Sequence, residues 1–157
     1  MKHLIRNLKP LLFLLTLYSG YCLIGQSNTE SISEIHIKET NWKGFKRYDF
    51  KLNKRDARLV LPEKPLPGYP WIWRARFPNW HTESDSILVA EGFHLAYINT
   101  NNKYGSPHAI NIWDDYYDFL TSEYELNKKV ALIGVSRGGL FVYNWAKKNP
   151  NKVSCIY

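Results

Sequence analysis

From Tyr48 onward, apolar and polar positions first alternate and then recur at helical spacing. Asp49-Phe50-Lys51-Leu52 alternates strictly and Ala57-Arg58-Leu59-Val60-Leu61 less cleanly; the polar run Asn53-Lys54-Arg55-Asp56 between them predicts a hairpin. Pro62, Pro65, Pro67, Gly68 and Pro70 make a rigid loop leading into Trp71-Ile72-Trp73, a predicted third strand. Thr82 and Asp85 have the spacing of a capping box, with Glu83 at the positive end of a new helix. Ile87, Leu88 and Glu91 continue that helix and Gly92 ends it. Phe93 to Ile98 is mostly apolar, as in strands covered on both faces. Ser106-Pro107 then reads as the cap and first residue of a helix. Along it Ile112, Trp113, Tyr116, Tyr117, Phe119, Leu120 and Tyr124 recur on one packed face, and Asn127 closes it. A strand over Lys129 to Ile133, a helix from Leu140 to Lys148 ended by Asn149-Pro150, and a buried strand over Val153 to Tyr157 complete the pattern.

Strands alternating with helices in this way predict parallel strands joined by crossovers and covered on both faces, an α/β architecture preceded by an antiparallel hairpin. Residues 27–47 are polar apart from a few positions such as Ile35 and Ile37, and read as a lead-in segment or an edge strand. No internal repeat or low-complexity stretch interrupts the order.

The first residues change the picture of where the chain works. Lys2, Arg6 and Lys9 precede Leu11-Leu12-Phe13-Leu14-Leu15-Thr16-Leu17, and the small residues Ser19 and Gly20 follow. Basic, then apolar, then small is the order of a secretory signal peptide, assigned here to residues 1–26 with cleavage near Gly25-Gln26. The apolar run is short of the roughly 20 residues that span a bilayer, so no stable membrane anchor is expected after cleavage. Acylation at Cys22 is disfavoured by the bulky Tyr21 before it. The expected location is secreted or periplasmic. Loss of residues 1–26 removes three basic and no acidic residues, and the formal charge of +7 falls to +4. With no clustered Lys/Arg reading motif, nucleic acid is not an expected partner. Only Cys155 remains, so no internal disulfide and no cysteine metal site can form.

The chemistry concentrates in Gly134-Val135-Ser136-Arg137-Gly138, a G-x-S-x-G placed between the strand ending at Ile133 and the helix beginning near Leu140. A serine on so sharp a strand-to-helix turn needs neighbours without side chains, which makes Gly134 and Gly138 steric requirements, with Gly139 extending the elbow. There is no Walker A lysine, no G-x-G-x-x-G and no H-E-x-x-H, and neither cofactor nor metal is expected.

This order of elements, from about Phe50 to Tyr157, together with the elbow Gly134 to Gly139, resembles the N-terminal portion of the α/β-hydrolase superfamily. Residues 48–157 would then be the first part of such a domain: a mostly parallel sheet with helices on both faces, incomplete at its C-terminus. The resemblance implies that Ser136 is a nucleophile and that the Arg137 backbone N–H is one oxyanion donor. A second donor would lie in the loop after the third strand, assigned to Ala75; Arg74 and Arg76 there are either part of that loop's function or ordinary solvated charges. It also implies a catalytic acid and then a histidine after the serine. None of Arg137 to Tyr157 is His, Asp or Glu, and His3, His36, His81, His94 and His108 all precede Ser136. The expectation is therefore a chain truncated before its acid and base and inactive by itself.

The implied substrate is an ester, with a polysaccharide ester as first choice because export and many aromatics suit an external polymer. Trp80, in a loop beside Asn79 and His81, is the candidate sugar platform, with Arg76 and Tyr104 as further pocket residues; for Tyr104 plain turn chemistry is the alternative. Trp71 and Trp73 read as sheet core. His94, inside a strand, reads as a satisfied core histidine. Two other functions stay open: a prolyl-oligopeptidase-type peptidase, for which no acidic pair is seen, and a non-catalytic binding protein on a degenerate hydrolase scaffold.

Overall fold

A computed structural model describes residues 35–157 of the chain. The signal-peptide reading, Cys22 and His3 lie outside the described residues. Seven strands form one sheet in the order β1-β2-β3-β5-β4-β6-β7. The strands are β1 (Lys38–Trp42), β2 (Phe45–Leu52), β3 (Arg55–Leu61), β4 (Trp71–Arg74), β5 (His94–Ile98), β6 (Val130–Ile133) and β7 (Val153–Ile156). The helices are α1 (Glu83–Ala90), α2 (Pro107–Glu123) and α3 (Gly139–Lys148). β1, β2, β3 and β5 pair antiparallel in turn, whereas β5, β4, β6 and β7 pair parallel.

The expected hairpin is present with a tighter turn. Leu52 faces Arg55, which leaves Asn53 and Lys54 as a two-residue connection, both at positive φ. The segment before it contains an edge strand, β1, joined to β2 through Lys43-Gly44, again at positive φ. Its residues are mostly exposed, and a strand in solvent at a sheet edge has no need of the apolar alternation by which strands are recognised.

Alternation sorts the parallel strands onto two faces. Trp71, Trp73, Ala96, Ile98, Val130 and Leu132 point toward α2 and α3; Ile72, Leu95 and Ile133 point toward α1. Trp71 and Trp73 are 1% and 0% exposed, and Trp73 stacks on Trp113 of α2 with ring centroids 4.1 Å apart. They are core, as their place in a short apolar strand implies.

Three boundaries differ from the sequence expectation. Thr82 precedes α1 but its side chain makes no capping bond, and Asp85 is turned inward to an arginine described below. α2 stops at Glu123, with Glu125 at positive φ, while Asn127 instead ties the following loop to the Gly68 and Tyr69 carbonyls. β7 is not buried: it is the outer strand beside β6, and Ser154, Cys155 and Ile156 are exposed.

Candidate active site at the strand-to-helix elbow

After β4 the chain crosses to β5 on one side, and β6 returns on the other side of β4. The carboxyl ends of β4 and β6 therefore flank the point where strand order reverses, the place where open α/β sheets leave a crevice. Both segments expected to carry chemistry emerge there: Ala75-Arg76-Phe77 from β4 and Gly134 to Gly138 from β6.

Ser136 is exposed and has φ +50°, left-handed backbone that a non-glycine residue adopts only where its surroundings impose it. The surroundings are visible. A Cβ on Gly134 would lie 2.7 Å from Val142 Cγ2 and 3.2 Å from the Gly139 Cα, so only glycine lets α3 begin this close to β6. A Cβ on Gly138 would lie 3.3 Å from the Ala75 Cβ, which makes this the contact between the elbow and the loop after β4. Gly139 is different: a Cβ there would meet nothing nearer than 3.9 Å, so the elbow does not require that glycine.

The Arg137 N–H stands at the start of the helical run through α3, where backbone amides lack intrahelical acceptors and the helix dipole is positive. Ala75 does not complete the pair. Its N–H donates to the Ile133 carbonyl at 3.0 Å, extending the β4–β6 ladder by one residue, and so is unavailable to an oxyanion. The next amide, Arg76, is outside the ladder, and its nitrogen lies 3.7 Å from the position of a Cβ on Gly138. Arg76 is the first amide free of the ladder because the ladder runs one residue past the strand.

Arg74, read as a solvated charge or loop residue, is 2% exposed. Its Nη1 donates to Asp85 Oδ2 at 2.7 Å, its Nε to the Phe77 carbonyl at 3.0 Å, and its Nη2 to the carbonyls of Trp80 and His81. Burial pushes the Asp85 carboxyl up, and the adjacent Arg74 guanidinium pulls against it. Arg76 is half-buried with its guanidinium over the Phe77 ring, and its Nε and Nη1 have no partner among the described residues. Arg137 also faces the Phe77 ring, at 6.0 Å.

Trp80 is 54% exposed and meets His81 edge-on, with centroids 4.1 Å apart. Tyr104 is exposed as well, in a turn whose neighbour Gly105 abuts the backbone of Leu140 and accepts a hydrogen bond from Asn144 Nδ2. The turn is thus docked on the first residues of α3. The described histidines do not gather at the serine. His94, read as a satisfied core histidine, is buried at the opposite end of β5 but not satisfied, its Nδ1 having no partner among the described residues, and desolvation holds it below its ordinary pKa; His81 lies 4.0 Å from Glu83, and His36 and His108 are exposed.

No protein-family model matches the chain, and no curated protein matches it by sequence. Solved structures do. Acetyl xylan esterase 1 from Thermoanaerobacterium sp. JW/SL YS485 superposes with a TM-score of 0.55 at 15% identity, covering 78% of this chain and 51% of that one. Est1E from Butyrivibrio proteoclasticus gives 0.53 at 14% identity, covering 76% and 48%. The Pyrococcus furiosus esterase Pf2001 gives 0.51 at 13%, covering 78% and 49%. The chain has the α/β-hydrolase fold and spans about half the length of these structures.

Proposed function

We propose that these residues are the nucleophile-bearing part of an exported serine hydrolase that cleaves esters through an acyl-enzyme on Ser136. The observation that carries this reading is Ser136 itself: exposed, at φ +50°, between a parallel strand and a helix, with side-chain-free neighbours on both sides. Ser136 Oγ attacks the ester carbon, and its proton passes to a histidine and on to the departing alcohol; water then releases the acid by the reverse sequence. The Arg137 and Arg76 backbone N–H groups hold the developing oxyanion, Arg76 replacing Ala75 in that role. The acid and the histidine come from polypeptide that follows Tyr157 in the reading frame. That assignment is supported by the half-length match to the neighbours and by an apolar groove of about 430 Å³ beside β6 and β7.

Export rests on the order of residues 1–26, and a sugar ester on the exposed Trp80 indole, since an aromatic face with a polar edge suits a sugar ring. Reading the genomic DNA beyond the Tyr157 codon tests the composite active site directly: an open frame with Asp or Glu and then His after strand patterns is expected, and an immediate stop codon refutes it. With that longer product, acetylated xylan, methylated pectin, p-nitrophenyl acetate and dipeptide amides separate the substrate classes. Ester turnover lost in Ser136→Ala is the expected result; turnover only of the amides would reassign the protein to the peptidases.

A further inference from the structure

We infer that Arg74 is a positioning residue for the oxyanion site, fixing the loop Ala75–His81 so that the Arg76 N–H faces the elbow. The inference rests on the serine-hydrolase reading and adds a device to it. The Arg76 peptide is bracketed by two anchors. On one side Ala75 N–H is tied to the Ile133 carbonyl of β6; on the other the Phe77 carbonyl is tied to Arg74 Nε. The loop between them does not hold itself in place by regular structure, for it carries only the Trp80 N–H to Phe77 carbonyl turn, and both Phe77 and His81 sit at positive φ. Arg74 gathers the carbonyls of Phe77, Trp80 and His81 onto one planar guanidinium, and Asp85, 0% exposed at the first turn of α1, neutralises it. Arg58 Nη1 adds an outer tie to Asn79 Oδ1 at 2.9 Å.

A lysine cannot reproduce this. Its single ammonium can reach Asp85 or a carbonyl, but not three carbonyls in a fixed fork. Freed at Phe77, the Arg76 amide loses its aim, and a displacement of about 1 Å at such a group costs on the order of 10²-fold in rate.

The test uses the full product of the reading frame. Arg74→Lys is expected to lower kcat on p-nitrophenyl acetate by roughly ten- to a hundredfold with KM nearly unchanged. The inhibition constant of a methyl trifluoromethyl ketone, which needs the oxyanion site to form its adduct, should rise by the same factor as kcat/KM falls. Val89→Ala, which is buried on α1 outside the loop and lowers stability by opening a small cavity, serves as the control for destabilisation and should keep kcat. Arg74→Lys with wild-type kcat overturns the inference, as does an equal loss in Val89→Ala. If Arg74→Lys fails to fold, the double variant Arg74→Met with Asp85→Leu, which removes the buried pair together and with it the three carbonyl ties, should lower kcat at least tenfold; wild-type kcat there overturns the inference too. Wild-type protein that a fluorophosphonate does not label at Ser136 defeats the parent reading instead, which keeps the two failures distinct.

Discussion

The two faces of the one sheet are finished to different degrees. Toward α2 and α3, four tryptophans (Trp71, Trp73, Trp113 and Trp145) interlock with Tyr116, Phe141 and Leu132, none of them more than 1% exposed. Toward α1, one eight-residue helix among the described residues covers Ile72, Leu95 and Ile133, and the groove next to it is lined by Ile87, Leu88, Phe93 and Cys155. Ile87 on that groove is 63% exposed. The closed face makes the elbow rigid by pressing α3 onto β6. The other face carries the loop that reaches over the elbow, and it is held by polar ties instead of packing. Rigidity in this site therefore has two sources, one apolar and extensive, the other a single buried guanidinium.

The closed face should carry most of the stability. Trp73→Ala, which empties the centre of the tryptophan cluster, should cost about 3–5 kcal/mol in denaturant unfolding; a loss below 1 kcal/mol would mean the cluster is not the core. Gly134→Ala is expected to cost about 1–3 kcal/mol through the clash with Val142, and to remove activity with it. Gly139→Ala should leave both nearly unchanged, and equal damage from the two would show that glycine content, not the close approach of α3, shapes the turn.

A smaller effect distinguishes the foot of the sheet from the rim that carries the elbow. Burial lowers the His94 pKa, so the folded chain resists a proton that the unfolded chain accepts below about pH 6.5. Its contribution is fully present above that pH and is lost as the pH falls toward the lowered folded value. His94→Phe should flatten the melting temperature on the acid side of pH 6.5; an unchanged profile would place the acid sensitivity elsewhere. The smallest effect is expected at Ile87. Ile87→Ala in the 157-residue chain should shift stability by no more than about 0.5 kcal/mol, and a larger loss would show that the α1 face is already covered.

What was legible in the sequence was local. Val130 to Ile133 followed by Gly134 to Gly138 announces the elbow because the steric demand of Ser136 falls on its immediate neighbours, and the Trp71-Ile72-Trp73 strand announces its own burial. The polar strand β1 was ambiguous because solvent on an edge removes the alternation that marks a strand. The Arg74–Asp85 pairing leaves no mark in the sequence, since it is made through space, eleven residues apart, while Asp85 also fits a capping box with Thr82. The loop after β4 suggests a donor near Ala75 but does not show which amide is free, because the residue at which a ladder ends depends on the neighbouring strand, here on the Ile133 carbonyl.

The most direct measurement treats the full gene product with a fluorophosphonate, digests it with trypsin and weighs the fragments. Cleavage after Lys129 and Arg137 isolates Val130 to Arg137, in which Ser136 is the sole hydroxyl-bearing residue. A stoichiometric phosphonyl adduct on that fragment, absent from Ser136→Ala, is the predicted result. An adduct on any other fragment, or none in protein that turns over esters, would contradict the account.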